Sequence, residues 1–148
     1  GVGKRHLTFR IGVVLSRKGG ALGRLEPLFQ WGLGSAAGTG NQWQSWIHVA
    51  DLAHLIVHAL GEEAMEGIYN AVAPEPVTNR ELSRELARAM RKPFFAPAPP
   101  AWVLRAVLGE MAAIVLESQR IRSCRLASTG FRFQFPTLER ALNDLYAA

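Results

Sequence analysis

Two short segments of the chain are almost continuously apolar, and they constrain the fold more than any other feature of the sequence. The first, Ile11–Leu15, ends a stretch rich in β-branched and aromatic residues that begins at Leu7, and the second is Gly67–Val72. Runs without polar alternation are typical of strands in a parallel sheet that is covered on both faces. The sequence therefore predicts an α/β fold in which both segments are buried strands.

Helical spacing and loop signals organise the rest of the first half. Apolar residues recur every three or four positions around Leu22–Phe29, which predicts a short amphipathic helix, and four glycines in Gly32–Gly40 predict a loop. Gln44–Val49 predicts a short strand. Asp51 stands where an N-cap belongs and predicts a helix over Leu52–Leu60.

Capping signals and alternation organise the second half. Thr78 and Glu81 form a capping box that predicts a helix to about Met90. The strict alternation of Phe131–Phe135 predicts a half-buried strand. The remaining predicted helices run from Ala101, after Pro100, to a break at Gly109, from Glu110 to Arg120, and from Leu138 to Tyr146.

The composition argues against several classes of partner and cofactor. No apolar stretch approaches the 18 residues of a membrane span, and Cys124 is the single cysteine, which suits a reducing compartment and predicts a cytoplasmic protein. The net charge is +5, but the basic residues are dispersed, so nucleic acid is not an expected partner. His54 and His58 have the spacing of metal ligands on a helix without an evident third ligand, and no metal is expected.

Several short motifs occur in an order and spacing that resemble a known family. The motifs read RIGVVL, GGAL, GLG, GTGNQ, SWIHVADLA, YNAVAP, PVTN, LGEM, SQR and GFRF, and the match as a whole runs from about Phe9 to Leu145. Together they resemble the C-terminal half of extended short-chain dehydrogenase/reductases. More narrowly, they resemble the epimerase-family proteins described as NAD(P)-dependent nucleoside-diphosphate-sugar epimerases.

The resemblance implies the C-terminal part of a Rossmann-type extended short-chain dehydrogenase fold. Residues 1–73 would hold the last strands of the nucleotide-binding sheet with substrate-side loops and helices, and residues 74–148 the family's C-terminal extension. The implied function is the substrate-side half of an NAD(P)-dependent epimerase/dehydratase-like oxidoreductase that acts on a nucleotide-sugar-like substrate. The implied cofactor of the intact protein is NADP or NAD.

Two parts of the family's machinery have no counterpart in this sequence. One is the glycine-rich turn that holds the cofactor pyrophosphate. The other is the catalytic tyrosine with a lysine four residues later, because the two tyrosines are Tyr69, with Ala73 four positions on, and Tyr146, two residues from the end. We therefore expect no catalytic residue in this chain, no activity of the chain alone and no tight binding of the cofactor by it.

The resemblance also implies candidate binding residues. Gly12, Val13 and Val14 correspond to the strand whose end passes the nicotinamide, and a glycine there would let the backbone approach a planar ring. Close strand–helix packing is the alternative reading of Gly12. Gly20, Gln42 and Trp46 belong to the substrate-side segments, although Trp46 could equally be a core residue.

A second class of function stays open from the sequence alone, namely a non-catalytic binding or interaction module that retains the fold. The two hypotheses differ in whether the natural gene encodes a further domain upstream of Gly1. For either one, the open edge of a two-stranded sheet predicts pairing with the absent N-terminal half or with a second copy of the chain, as a dimer through Leu7–Leu15.

Overall fold

Six short strands form three two-stranded sheets within residues 3–94 and 97–147, the ranges that the computed structural model describes. The strands are β1 (Leu7–Ile11), β2 (Val13–Leu15), β3 (Trp43–Gln44), β4 (Trp46–His48), β5 (Gly67–Ala71) and β6 (Val77–Thr78). The helices are α1 (Gly20–Gln30), α2 (Val49–Gly61), α3 (Asn79–Ala89), α4 (Ala101–Leu108), α5 (Ala112–Leu116) and α6 (Leu138–Tyr146). Two 3₁₀ turns lie at Gly109–Met111 and Leu126–Thr129.

Gly12 lies between β1 and β2, which pair with different strands. Before it, β1 pairs in parallel with β5, and after it, β2 pairs in parallel with β4. The Gly12 N–H donates to Ala71 O over 3.3 Å, and the Val13 N–H donates to Ser45 O over 2.8 Å. A Cβ on Gly12 would lie 2.5 Å from Ser45 O and 2.8 Å from Val72 Cγ1. Only glycine fits between these neighbours without displacing them.

The prediction that both strands are buried on both faces is wrong within this chain. Leu15 and Ala71 are fully buried, whereas Ile11 is 52% and Ile68 is 47% exposed. Successive side chains of a strand point to opposite faces. One face of β1 and β5 packs against α2 and Leu126, and the other face is left largely uncovered by the described residues.

The start of α2 differs from the prediction that Asp51 is its N-cap. The N-cap is His48, whose Nδ1 accepts a hydrogen bond from the Ala50 N–H over 3.0 Å. Asp51 lies in the first turn of the helix and is completely buried. Its two carboxylate oxygens accept hydrogen bonds from the Gln134 N–H over 2.7 Å and the Phe135 N–H over 3.0 Å.

The bonds to Asp51 explain why the predicted strand at Phe131–Phe135 is wrong. Burial does alternate along this segment, with the three phenylalanines half-buried and Arg132 and Gln134 exposed. However, the segment pairs with no strand within the part of the chain that the structure describes, since two of its backbone N–H groups donate to the Asp51 carboxylate. The alternation reflects packing of the phenylalanine rings rather than a place in a sheet. Phe131 and Phe133 pack against the apolar cluster that includes Leu55 and Ala59 of α2, and Phe135 stacks on the His48 ring.

The helices that carry local capping signals form where predicted. Thr78 and Glu81 form the capping box at the start of α3, and Thr137 caps α6. The largest apolar cluster joins β2 and α1 to α3 and α6. A smaller cluster joins Ala37 to α4 and α5. Both halves of the chain therefore contribute apolar side chains to the core.

Candidate functional site

A cleft of about 360 Å³ opens where β1 ends and β2 begins. In parallel sheets, ligands characteristically bind at the carboxyl ends of the strands. Three segments of the chain, distant in sequence, contribute its walls. The lining residues are Ile11–Val14, Gly20 and Ala21, then Gln44 and Ser45, then Met111, Ile114, Glu117 and Gln119.

The structure brings four of the predicted binding residues together in this cleft. Gly12, Val13 and Val14 line it from the strand, and Gly20 lines it from the start of α1. Gly20 has φ +71°, a backbone conformation that favours glycine. A Cβ on Gly20 would meet a single atom, Val14 O at 3.6 Å, so the position has space beside the cleft.

Gln42 and Trp46, the other two predicted residues, do not line the cleft. Trp46 is 1% exposed, and its Nε1–H donates to Glu75 O over 3.1 Å. It is therefore a core residue, which is the alternative that the sequence left open. Gln42 is also buried, and its side-chain amide donates to Ala37 O over 2.9 Å and to Val115 O over 3.0 Å. The Gln42 side chain therefore holds the backbone at Val115, next to the cleft residue Ile114, and the Trp46 side chain packs in the core.

Polar side chains near β3 and β4 hold the wall formed by the later residues. The Gln44 side-chain amide donates to Val115 O and to Glu117 O, each over 3.1 Å. The Ser45 hydroxyl donates to Gln119 O over 2.9 Å and accepts from the Ile121 N–H over 2.8 Å. These bonds keep the segment after α5 extended, which is why the helix ends at Leu116 and not at Arg120 as predicted.

The cleft is mainly apolar and carries little charge. Glu117 is the single ionisable residue among those that line it, and it is exposed. Apolar walls beside glycine backbone suit a planar, uncharged ring, and the lining offers no Lys or Arg for a phosphate group. Within residues 3–94 and 97–147, no group of three His, Cys, Asp or Glu side chains could hold a metal ion.

A second polar cluster lies away from the cleft and joins α1 to α6. The Tyr146 hydroxyl donates to Glu26 Oε2 over 3.3 Å, and Arg17 lies 3.2 Å from Glu26 Oε1. Burial raises the pKa of Tyr146 well above its usual range, and the negative charge and hydrogen bond of Glu26 raise it further, against the opposing charge of Arg17. None of the three side chains lines the cleft.

Sequence reasoning missed the wall formed by Met111, Ile114, Glu117 and Gln119. These residues come from the part of the chain to which the sequence assigned no role. The signal was present only as the motifs LGEM and SQR, which carried the resemblance without indicating that they face the first strand. Gln44 and Ser45 lie between Gln42 and Trp46, which the resemblance places in a substrate-side segment.

The described part of the chain has no helix long and apolar enough to cross a membrane.

The architecture described above is the C-terminal part of a Rossmann-type extended short-chain dehydrogenase/reductase fold, and comparison with solved structures confirms it. The human epimerase family protein SDR39U1 (isoform2) with NADPH superposes with a TM-score of 0.88 at 38% identity, over 97% of this chain and 48% of that one. The nucleoside-diphosphate sugar epimerase from Corynebacterium glutamicum gives a TM-score of 0.75 at 28% identity, over 97% of this chain and 27% of that one.

Sequence comparison gives the same relationship. The mouse epimerase family protein SDR39U1 is 40% identical over 148 residues, which cover 99% of this chain and 50% of the mouse protein. Residues 99–145 match a family model described as a domain of unknown function, DUF1731. The chain thus matches the C-terminal half of an epimerase-family protein, as its motifs predicted, and spans about half the length of the curated relatives.

Proposed function

We propose that this chain is the substrate-side half of an NAD(P)-dependent epimerase/dehydratase-like oxidoreductase, and that the cleft at Gly12 receives the nicotinamide end of the cofactor. The observation that carries the proposal is the meeting of Gly12, Val13, Val14 and Gly20 in one mainly apolar cleft at the carboxyl end of a parallel strand. The similarity to a protein solved with NADPH supports it.

The cofactor supplies hydride transfer when it is bound, and the residues of this chain shape the space around its ring. Val13 and Val14 offer apolar surface and Gly20 leaves room beside it, so these residues would exclude water and fix the ring's position. Gly12 itself contributes through packing, since its missing side chain admits Ser45 O. Binding of the cofactor's phosphates falls to residues outside this chain.

We further propose that the reaction acts on a nucleotide-sugar-like substrate, that Gly20 lies on the substrate side, and that residues 1–73 and 74–148 form the two parts of this half. Similarity to a nucleoside-diphosphate sugar epimerase supports the substrate class. Gln42 would act through the backbone at Val115 that it holds, and Trp46 through the core in which it packs. The exposed free thiol of Cys124 favours a cytoplasmic location.

Magnetisation transfer in the intact protein tests the cofactor site. With methyl-labelled valine and bound NADPH, we expect NOEs between the nicotinamide protons and the methyl groups of Val13 or Val14. Val14→Ala should remove its share of the signals, and Val57→Ala on the exposed face of α2 should leave them unchanged. NOEs confined to valines outside the cleft would overturn the proposal.

Calorimetric titration of NADPH into the 148-residue chain alone tests the expected lack of tight binding. No saturable heat is expected at micromolar concentrations, because the described residues that line the cleft include no Lys or Arg to bind the phosphates. Low-micromolar affinity of the isolated chain would contradict this expectation. Failure of the intact protein to bind NADPH would instead favour the non-catalytic binding module.

A further inference from the structure

A short extended segment after α5, residues 117–122 (the strap), contributes to one wall of the cleft. Its main chain is held by residues of the neighbouring strands. The Gln44 amide and the Ser45 hydroxyl donate to the carbonyl groups of its first and third residues, over 3.1 Å and 2.9 Å. The Gln119 N–H donates to Trp43 O over 2.9 Å. These bonds fix the position of the strap relative to β3 and β4.

Successive side chains of the strap point to opposite sides, as they do in a strand. Glu117 and Gln119 line the cleft. Ser118 and Arg120 contact Trp43 instead: the Ser118 hydroxyl accepts from the Trp43 N–H over 3.0 Å, and the Arg120 guanidinium carbon lies 4.4 Å from the centroid of the Trp43 ring. The contacts with Trp43 therefore determine which two side chains of the strap face the cleft.

Glu117 and Gln119 supply the polar groups that this cleft offers to a ligand. Among the described residues that line it, the other two with polar side chains are Gln44 and Ser45, whose amide nitrogen and hydroxyl hold the strap. Because the strap is held mainly through its main chain, the Glu117 and Gln119 side chains are exposed. A few polar groups in a mainly apolar pocket characteristically fix the orientation of its ligand.

The hydrogen-bonding capacities of these two side chains define the ligand group that they would bind. An ionised carboxylate only accepts hydrogen bonds, whereas the nitrogen of a glutamine amide donates them. A group that satisfies both carries an N–H donor next to an acceptor oxygen, as a primary carboxamide does. An anionic group is disfavoured, because the described residues that line the cleft include no Lys or Arg and the charge of Glu117 would repel it.

We propose that Glu117 and Gln119 bind the carboxamide of the nicotinamide ring, with the Glu117 carboxylate accepting from its NH2 group and the Gln119 amide donating to its carbonyl oxygen. This inference rests on the proposed function, because it requires the ring to enter the cleft. The carboxamide lies on one side of the ring, so a contact with it selects the face of the ring that is turned towards the substrate.

Calorimetric titration of the intact protein with NADPH and with its reduced 3-acetylpyridine analogue tests this contact. The analogue replaces the NH2 group by a methyl group and keeps the carbonyl oxygen. Glu117→Ala should weaken the binding of NADPH about five-fold, the effect of one hydrogen bond, and should leave the affinity for the analogue unchanged. Gln119→Ala should weaken the binding of both compounds about five-fold, since both retain the carbonyl oxygen.

Glu110→Ala is the matched control, since it removes the same charge from an exposed position in the 3₁₀ turn that does not line the cleft, and it should change neither affinity. Unchanged binding of the analogue by Glu117→Ala would also show that this variant keeps its site intact. Equal losses for NADPH and the analogue in Glu117→Ala, or no loss of NADPH affinity in either cleft variant, would overturn the proposal.

The valine NOEs described above distinguish failure of this contact from failure of the proposed function. If the NOEs place the ring beside Val13 or Val14 while Glu117→Ala and Gln119→Ala bind NADPH as wild type does, the carboxamide contact is refuted and the proposed function stands. NOEs confined to valines outside the cleft would refute both.

Discussion

Asp51 shows how one buried charge can organise a distant segment. It lies at the start of α2 with no exposed surface, and both of its oxygens accept backbone N–H groups from residues more than 80 positions later. A carboxylate that accepts two such bonds stays satisfied although it is buried. The residue therefore attaches the segment before α6 to the first half of the chain.

We expect Asp51→Asn to lower the free energy of unfolding by about 1.5–3 kcal/mol. The amide keeps the size of the side chain but replaces one acceptor oxygen with a donor that faces a backbone N–H group. Urea denaturation followed by tryptophan fluorescence measures the change. Glu63→Gln, at an exposed position, is the matched control and should have almost no effect. An Asp51→Asn variant as stable as wild type would show that the two bonds contribute nothing.

A substitution at Gly12 tests whether this glycine is needed for packing, independently of any contact with a cofactor. A Cβ there would lie 2.5 Å from a backbone oxygen, which cannot move as a flexible side chain can. We expect Gly12→Ala to destabilise the chain by about 1–3 kcal/mol in the absence of any cofactor. In Gly61→Ala, the added Cβ meets no atom within 4 Å, so thermal melting should show little change or a small gain. Equal melting temperatures for the two variants would contradict the packing role.

A polar cluster connects α6 to α1. It consists of Tyr146, Glu26 and Arg17. The folded state raises the pKa of Tyr146, so it holds the phenolic proton more tightly than the unfolded chain does. The linked stability is fully present below the unfolded pKa of about 10 and is lost as the pH rises above that value. We therefore expect wild type to lose stability relative to Tyr146→Phe above about pH 10.

Denaturation of both proteins at pH 8 and at pH 10.5 measures this difference. Tyr146→Phe removes the titrating group and keeps the ring beneath Arg17, whose guanidinium carbon lies 4.9 Å from the ring centroid. Tyr69 remains in both proteins, so its titration cancels. A stability difference that is the same at the two pH values would contradict the proposed linkage.

Elements with local signals were predictable, and elements fixed by distant partners were not. The capping box at Thr78 needs only residues within one turn, so the start of α3 followed from the sequence. The segment Phe131–Phe135 has the alternation of a strand, but its partner is a carboxylate about 80 residues earlier. No local pattern distinguishes that carboxylate from a helix cap, and therefore both Asp51 and the segment were misassigned.

The candidate site likewise contains residues that local motifs indicate and residues that contacts with distant segments place. The resemblance assigns Gly12–Val14 to the cofactor and Gly20 to the substrate side, and the structure brings all four residues into one cleft. The facing wall depends on Gln44 and Ser45, whose side chains bind carbonyl groups more than 70 residues later. Trp46 has the residue type of a stacking platform, but burial against the core decides its role. Such burial depends on the whole molecule.

In the molecule as a whole, the described residues leave the free edge of β1 and the apolar side chains near it uncovered. β1 pairs only with β5 among them, so its other edge carries unpaired backbone groups. Apolar side chains are exposed on that sheet and on α2, with Ile11 at 52%, Val57 at 67% and Leu60 at 75%. An unprotected edge beside apolar surface is a template for pairing with another chain.

We therefore expect the 148-residue chain to self-associate, as a dimer paired through Leu7–Leu15, when no other chain covers this edge. Light scattering at about 50 µM should give a mass near twice 16.2 kDa, because an exposed edge is a template for pairing. Ile11→Lys places a charge at the edge without emptying the core and should shift the population towards monomer. Thr39→Lys adds the same charge on an exposed loop and should leave the dimer intact. A monomeric wild type that unfolds cooperatively would show that the chain closes its own core and that the edge needs no partner.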